Sequence, residues 1–231
     1  MTTMTIFGGS GYAGSHIVEA AVVRGLEVTS ITRSESAEQM AGVHYRTGSI
    51  LDAADRAAAL QGADVVIVAV SPRGEMAGQV RPAVAALARE AAEAGVRLGV
   101  IGGAGSLLAS EDGPRLVDTP AFDEEYKPEA LEMGEVLDDL RVSPESLDWF
   151  LVSPAGDFGP WVAGEYTGST GSAETCCSPT KRDDRRSAAP TSASRWSTRS
   201  RNPRTIAPVS PSPTEQAGRA GGDAAARPSS R

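Results

Sequence analysis

Seven residues, Gly8-Gly9-Ser10-Gly11-Tyr12-Ala13-Gly14, separate the apolar run Met4-Thr5-Ile6-Phe7 from the stretch His16-Ile17-Val18-Glu19-Ala20-Ala21. The run fits a strand and the later stretch a helix, so the glycines form a loop between a first strand and a first helix. In such a loop Gly8 permits the sharp turn off the strand, Gly11 lets backbone approach phosphate oxygens, and Gly14 lets the helix pack closely on the sheet. Exposed N–H groups along the loop, those of Gly9, Ser10, Tyr12 and Ala13 included, add to the helix dipole a positive potential suited to a dinucleotide pyrophosphate. The spacing is G-x-x-G-x-x-G, with Gly9 as an extra glycine. An ordinary strand-turn-helix can carry the same pattern, so the flanking sequence has to decide.

Glu27-Val28-Thr29-Ser30-Ile31-Thr32 reads as a second strand, and Arg33-Ser34 stand at its end, where NAD-preferring sites usually place an acidic residue. A guanidinium offers a planar fork of donors to a phosphate, whereas a carboxylate accepts from ribose hydroxyls and repels an extra phosphate. Arg33 is thus either a clamp for a 2′-phosphate or a solvated loop arginine. With Thr32 and Ser34 as further hydroxyl donors, NADPH is favoured over NADH, which stays the alternative.

Strand signals continue in Val65-Val66-Ile67-Val68-Ala69-Val70, opened by Gly62-Ala63-Asp64, and in Val96-Arg97-Leu98-Gly99-Val100-Ile101. Runs this apolar are buried on both faces of a sheet. Helical stretches at 11–24, 53–60 and 77–94 alternate with them, and a helix from about Pro128 to Arg141 precedes a sixth strand at 147–152. His44 falls in the third strand. This alternation calls for an α/β fold, a doubly wound Rossmann-type parallel sheet with right-handed crossovers. In open sheets of this kind ligands lie at the carboxyl edge of the strands. Val70 and Ser71, which end the fourth strand, are therefore expected to pack against cofactor, while Arg73 reads as solvated.

An ordered series of motifs carries a resemblance: Gly8–Gly14, Thr32-Arg33, Val100-Ile101-Gly102-Gly103-Ala104-Gly105-Ser106-Leu107, Leu116-Val117-Asp118-Thr119-Pro120, Glu125-Tyr126-Lys127-Pro128-Glu129-Ala130, Leu147-Asp148-Trp149 and Val152-Ser153-Pro154-Ala155. Over roughly residues 3 to 168 the chain resembles the NmrA-like, atypical short-chain dehydrogenase/reductase group of NAD(P)H-binding proteins. Members are often named NADH-flavin reductases and are related to biliverdin reductase B. The resemblance implies a Rossmann fold, a nicotinamide cofactor near Gly102 and Gly103, and hydride transfer to a flavin-like acceptor such as FMN or riboflavin. Where the family often has Gly-Asp after the third strand, this chain has Gly48-Ser49-Ile50-Leu51-Asp52. Ser49 and Ile50 then take the adenine side, with Ser49 a weaker hydrogen-bonding group.

Catalysis departs further. Ordinary short-chain dehydrogenases use Tyr-x-x-x-Lys, in which one-turn spacing sets the lysine beside the phenol. Tyr126 and Lys127 are adjacent, and neighbours on a helix point about 100° apart, so they cannot form that pair. Flavin reduction asks less of a protein, mainly stacking of two rings and exclusion of water. The candidate catalytic residues are Ser106, which either touches nicotinamide or substrate or caps a helix, and Tyr126, which either stacks on or donates to substrate or is a surface aromatic. Lys127 reads as a surface charge. The histidines, His16 and His44, read as structural, and the acids show no metal-ligand spacing.

The net charge of −8 hides a division: residues 1–168 carry 11 Lys+Arg against 25 Asp+Glu, a net of −14, and residues 169–231 carry 11 against 5, a net of +6. The first segment is read as an NAD(P)-binding Rossmann domain. The second, rich in Ser, Pro and Arg, is too poor in apolar residues to offset ordering entropy and is expected to be disordered. It lacks the aromatic interleaving of a nucleic-acid binder. Adjacent Cys176 and Cys177 are poor candidates for a structural bridge. With no signal peptide and no apolar run near the ~20 residues a membrane span requires, a cytoplasmic protein acting on a small-molecule substrate is expected, its oligomeric state open.

A frameshift also explains the tail. Read two bases further on from Gly168, with GC-rich codons, the same stretch can spell a strand, an amphipathic helix with a serine start and a closing strand, with a stop across Thr214-Glu215. Loss of those elements would leave a sheet edge and a helix-facing surface uncovered.

Overall fold

The computed structural model describes residues 1–36, 39–110, 112–154 and 158–161, and the backbone of 197–200. Strands and helices alternate: β1 (Thr3–Phe7), α1 (Tyr12–Val23), β2 (Glu27–Thr32), β3 (Val43–Thr47), α2 (Ala53–Leu60), β4 (Val65–Val68), α3 (Val80–Ala94), β5 (Arg97–Ile101), α4 (Lys127–Arg141), β6 (Trp149–Ser153) and β7 (Ser197–Ser200). All seven lie in one sheet, ordered β3-β2-β1-β4-β5-β6-β7. The first six are parallel, and β7 runs antiparallel along β6, with Ser153 opposite Ser197 and Phe150 opposite Ser200.

The period of two along each strand sorts side chains between two cores. Phe7, Val66, Val68, Leu98, Val100, Trp149 and Leu151 face a main core shared with α2, α3 and α4. Ile6, Val28 and Ile67 face a smaller one, where Val18 and Ala21 of α1 cover them. The steps from β1 to β2 and on to β3 run one way across the sheet and those from β3 onward run the other, so right-handed crossovers put α1 on one face and α2 to α4 on the opposite one. This is the doubly wound α/β sheet expected from the sequence. Its strand order reverses between β1 and β4, which opens a crevice outside their carboxyl ends.

Element limits shift by a few residues. β4 stops at Val68, two residues short of the expected run, and the Ala69 N–H makes its last sheet bond to the Phe7 carbonyl at 2.8 Å. α3 starts at Val80 rather than at 77. Gln79 offers it no side-chain cap; Glu132 of α4 instead accepts from the Gly78 and Arg81 N–H groups at 2.7 and 3.0 Å.

The edge left open in the tail reading is paired here by the backbone of Ser197–Ser200. Apart from that backbone, the segment 169–231, Cys176 and Cys177 included, lies outside the described residues. No helix among the described residues is long and apolar enough to cross a membrane.

Candidate functional site

The glycine loop stands at the mouth of the crevice, and each glycine has its own reason to be there. Gly8 adopts φ +84°, the left-handed region, and its N–H bonds the Ile31 carbonyl at 2.8 Å. A Cβ on Gly9 would strike the Ser30 hydroxyl beneath it, and one on Gly14 would strike the Gly8 carbonyl oxygen. Gly14 thus lets α1 close on the loop itself rather than only on the sheet. Gly11 differs: a Cβ there would meet Gly8 O at an ordinary 3.4 Å. Nothing within the fold requires a glycine at this exposed N-cap, whose bare backbone leads α1 with no side-chain cap and no acidic residue in the first turn. Ser10 is exposed, and Tyr12 and Ala13 are half-buried at the helix start. Bare N–H groups, free of a competing carboxylate, fit an anion such as a pyrophosphate.

At the end of β2, Thr32 is buried and its hydroxyl donates to the Ser34 carbonyl at 2.7 Å, so it holds the turn. Ser34 is exposed. Arg33 is exposed as well, but its Nη1 meets the Glu75 carboxylate at 3.3 Å. After β3, the Ser49 hydroxyl accepts from the Leu51 N–H at 3.2 Å, and its own N–H donates to Asp55 at 2.7 Å. Ile50 is 2% exposed, its side chain committed to the main core.

Val70 borders Gly8, and Ser71 is exposed beside it. From the same connection Arg73 bonds Glu129 of α4, and its guanidinium lies 5.3 Å over the Tyr126 ring. Arg73 is therefore more than the solvated charge the sequence allowed. Gly102 holds the end of β5 to Val152 through a 2.9 Å backbone bond, and Gly103 opens the 3-10 turn Ala104–Ser106. Ser106 is 7% exposed and donates to the Gly103 carbonyl at 3.1 Å, so it braces this turn and caps no α-helix. Tyr126, at the start of α4, is 40% exposed. Lys127 turns away to Glu124 at 2.8 Å, so the structure forms no tyrosine-lysine pair from these neighbours.

Sequence reasoning missed Asp55, Glu75, Glu129 and Phe158. Phe158 packs edge-on against Tyr12, ring centres 5.1 Å apart, and so stands beside the glycine loop. A position just past a strand at the carboxyl edge is the one signal that could have flagged Glu75.

A parallel sheet with a glycine loop under its switch point defines a Rossmann-type nucleotide-binding protein. A sequence profile described as NAD(P)H-binding matches residues 8–157, and the chain belongs to that family. It is 38% identical to YwnB of Bacillus subtilis (strain 168) over 168 residues, covering 71% of this chain and 76% of that protein. SP1627 of Streptococcus pneumoniae, provisionally named an NADH-flavin reductase, superposes with a TM-score of 0.63 at 34% identity, covering 78% of this chain and 84% of that one. A Bacteroides thetaiotaomicron protein provisionally named an epimerase gives a TM-score of 0.62 at 28% identity, covering 72% and 76%. The nicotinamide cofactor and the oxidoreductase-like fold expected from the sequence agree with these relatives.

Proposed function

We propose that this protein is an NADPH-dependent reductase that delivers hydride to a flavin or similarly flat acceptor. One observation carries the reading: the exposed Gly11 backbone leads α1 where the strand order reverses, with Arg33 across the same edge. Gly8 to Gly14 would hold the pyrophosphate, Arg33 the 2′-phosphate, Ser49 the adenine side, and Val70, Ser71, Gly102 and Gly103 the groups toward nicotinamide. When bound, the cofactor supplies the hydride. The protein's own work is to orient the two rings and exclude water, with Tyr126 and Ser106 at the acceptor side. The name borne by SP1627 supports this acceptor class. An epimerase is disfavoured because that chemistry also relies on the tyrosine-lysine pair.

A second reading, a non-catalytic NADPH sensor, is favoured by the lack of Tyr-x-x-x-Lys spacing at Tyr126, whose neighbour Lys127 pairs with Glu124. Titration by nicotinamide fluorescence, with NADH and Arg33→Ala as controls, comes first, followed by NADPH oxidation with and without FMN or riboflavin. Saturable NADPH binding weakened by Arg33→Ala, with oxidation accelerated by flavin, is the expected result. Binding without turnover favours the sensor. Absence of binding leaves an inactive product of an altered reading frame.

A further inference from the structure

β2 and β4 flank β1, so the residues just past their carboxyl ends are separated by the width of that strand and the glycine loop leaving it. Two strand spacings amount to about 10 Å. Arg33 and Glu75 bridge this gap with a 3.3 Å ion pair, although 42 positions part them in sequence. A ligand laid along the strand ends between β2 and β4 meets this pair. The second charge of the Glu75 connection, Arg73, is engaged on the opposite side with Glu129. The stretch from Ser71 to Met76 is thus tied to the β2 end by a carboxylate and to α4 by a guanidinium.

We propose that Glu75 sets the cofactor preference of the crevice, by occupying the Arg33 guanidinium that a 2′-phosphate would take and by offering a carboxylate acceptor to ribose hydroxyls. The inference rests on Arg33 facing the adenosine half of the cofactor. Sites that favour NAD carry such a carboxylate at the end of the second strand itself; here Arg33 stands there and the carboxylate arrives from across β1. A guanidinium and a carboxylate in contact serve either form of the cofactor: the phosphate draws Arg33 out of the pair, whereas free hydroxyls donate to Glu75. Both side chains are largely exposed, 59% and 92%, so each is free to turn without disturbing the core. Exchange of an exposed pair is worth little, and the expected effect is correspondingly modest.

Glu75→Gln keeps size and hydrogen bonding while removing the charge. Dissociation constants for NADPH and NADH are measured by nicotinamide fluorescence on the full chain, for the parent, Glu75→Gln, Arg33→Ala and the double variant, with melting temperatures as a folding control. The expected result is a two- to fivefold rise in the NADPH:NADH affinity ratio in Glu75→Gln, a fall in Arg33→Ala, and no further gain from Glu75→Gln once Arg33 is absent. An unchanged ratio in Glu75→Gln beside a lowered one in Arg33→Ala overturns the role of Glu75 and leaves the Arg33 reading standing. An unchanged ratio in both variants overturns the two together.

Discussion

A methyl group at Gly14 would run into the Gly8 carbonyl oxygen, backbone against which nothing flexible can yield, while one at Gly11 would find ordinary contact and open solvent. The two glycines of one motif are therefore held by different demands, the fold at Gly14 and the ligand at Gly11. Gly14→Ala is expected to destabilise by about 2–3 kcal/mol, as overpacking against immobile atoms does. Gly11→Ala, at a helix N-cap, is expected to lose less than about 1 kcal/mol but to weaken NADPH binding at least tenfold by crowding the phosphate. Thermal denaturation and fluorescence titration of the two variants test this together; a Gly11→Ala protein that binds as the parent does removes the loop from the binding site. The motif was legible because its glycine spacing is local, and so is the contact of Gly14 with Gly8 six positions before it; the demands of Ser30 on Gly9 and of Ala69 on Gly8 come from across the sheet. Glu75 and Phe158 were not, since their partners Arg33 and Tyr12 reach them only through the sheet order. Ile50, expected on the adenine side, buries its side chain in the core, a placement the motif alone does not reveal.

Between elements, ion pairs do what local sequence leaves undone. Arg56 of α2, 8% exposed, donates to both Glu90 carboxylate oxygens from Nε at 3.1 and 3.0 Å and again from Nη2 at 2.9 Å, and its Nη1 bonds the Ile50 and Leu51 carbonyls. It thereby fastens α2 to α3 and holds the turn after β3 that carries Ser49. Arg56→Ala leaves Glu90 and two carbonyls without these donors, and a loss of about 2–4 kcal/mol is expected by chemical denaturation. A change below 1 kcal/mol would mean that water replaces the guanidinium freely. Glu132 and Arg81 tie α3 to α4 similarly, Arg81 reaching Asp139 at 2.7 and 2.9 Å and Glu135 at 2.7 Å. The hydrogen bond to Asp139 is the leading cause that pushes the Arg81 guanidinium above its ordinary pKa, so the guanidinium keeps its charge at any working pH. Element order and type were legible where strands carry apolar runs, as β4 and β5 do, and the stretches between them mix apolar with polar positions. The start of α3 was not, since its cap comes from a carboxylate about fifty positions downstream.

For the whole molecule, the two faces of the sheet are covered unequally. α2, α3 and α4 all contribute to the main core, whereas of the described helices α1 alone contributes to the second cluster, over β1 and β2. Farther along that face Ala69, Ile101 and Phe150 are only half-buried, and the Arg97 guanidinium lies 5.1 Å over the Phe150 ring. Apolar strands at the centre of a parallel sheet are usually covered on both sides. With GC-rich codons, the reading frame two bases on from Gly168, where the written chain turns from a net of −14 to +6, can spell an amphipathic helix of the kind this face lacks among the described residues. A gene carrying that frame is expected to yield a protein more stable than the chain as written. Burial of one apolar helix face against Ile101 and Phe150, after its ordering entropy, is set at about 2 kcal/mol, which moves the melting temperature of a domain this size up by roughly 4–8 °C. Because the nucleotide crevice is built from β1, β2 and β4, NADPH affinity is expected to change much less than flavin-dependent turnover. Resequencing the gene and comparing the melting curves of the two chains test the two steps separately: codons incompatible with the shifted frame refute this origin of the tail, and equal melting temperatures refute the covering of Ile101 and Phe150 by its helix.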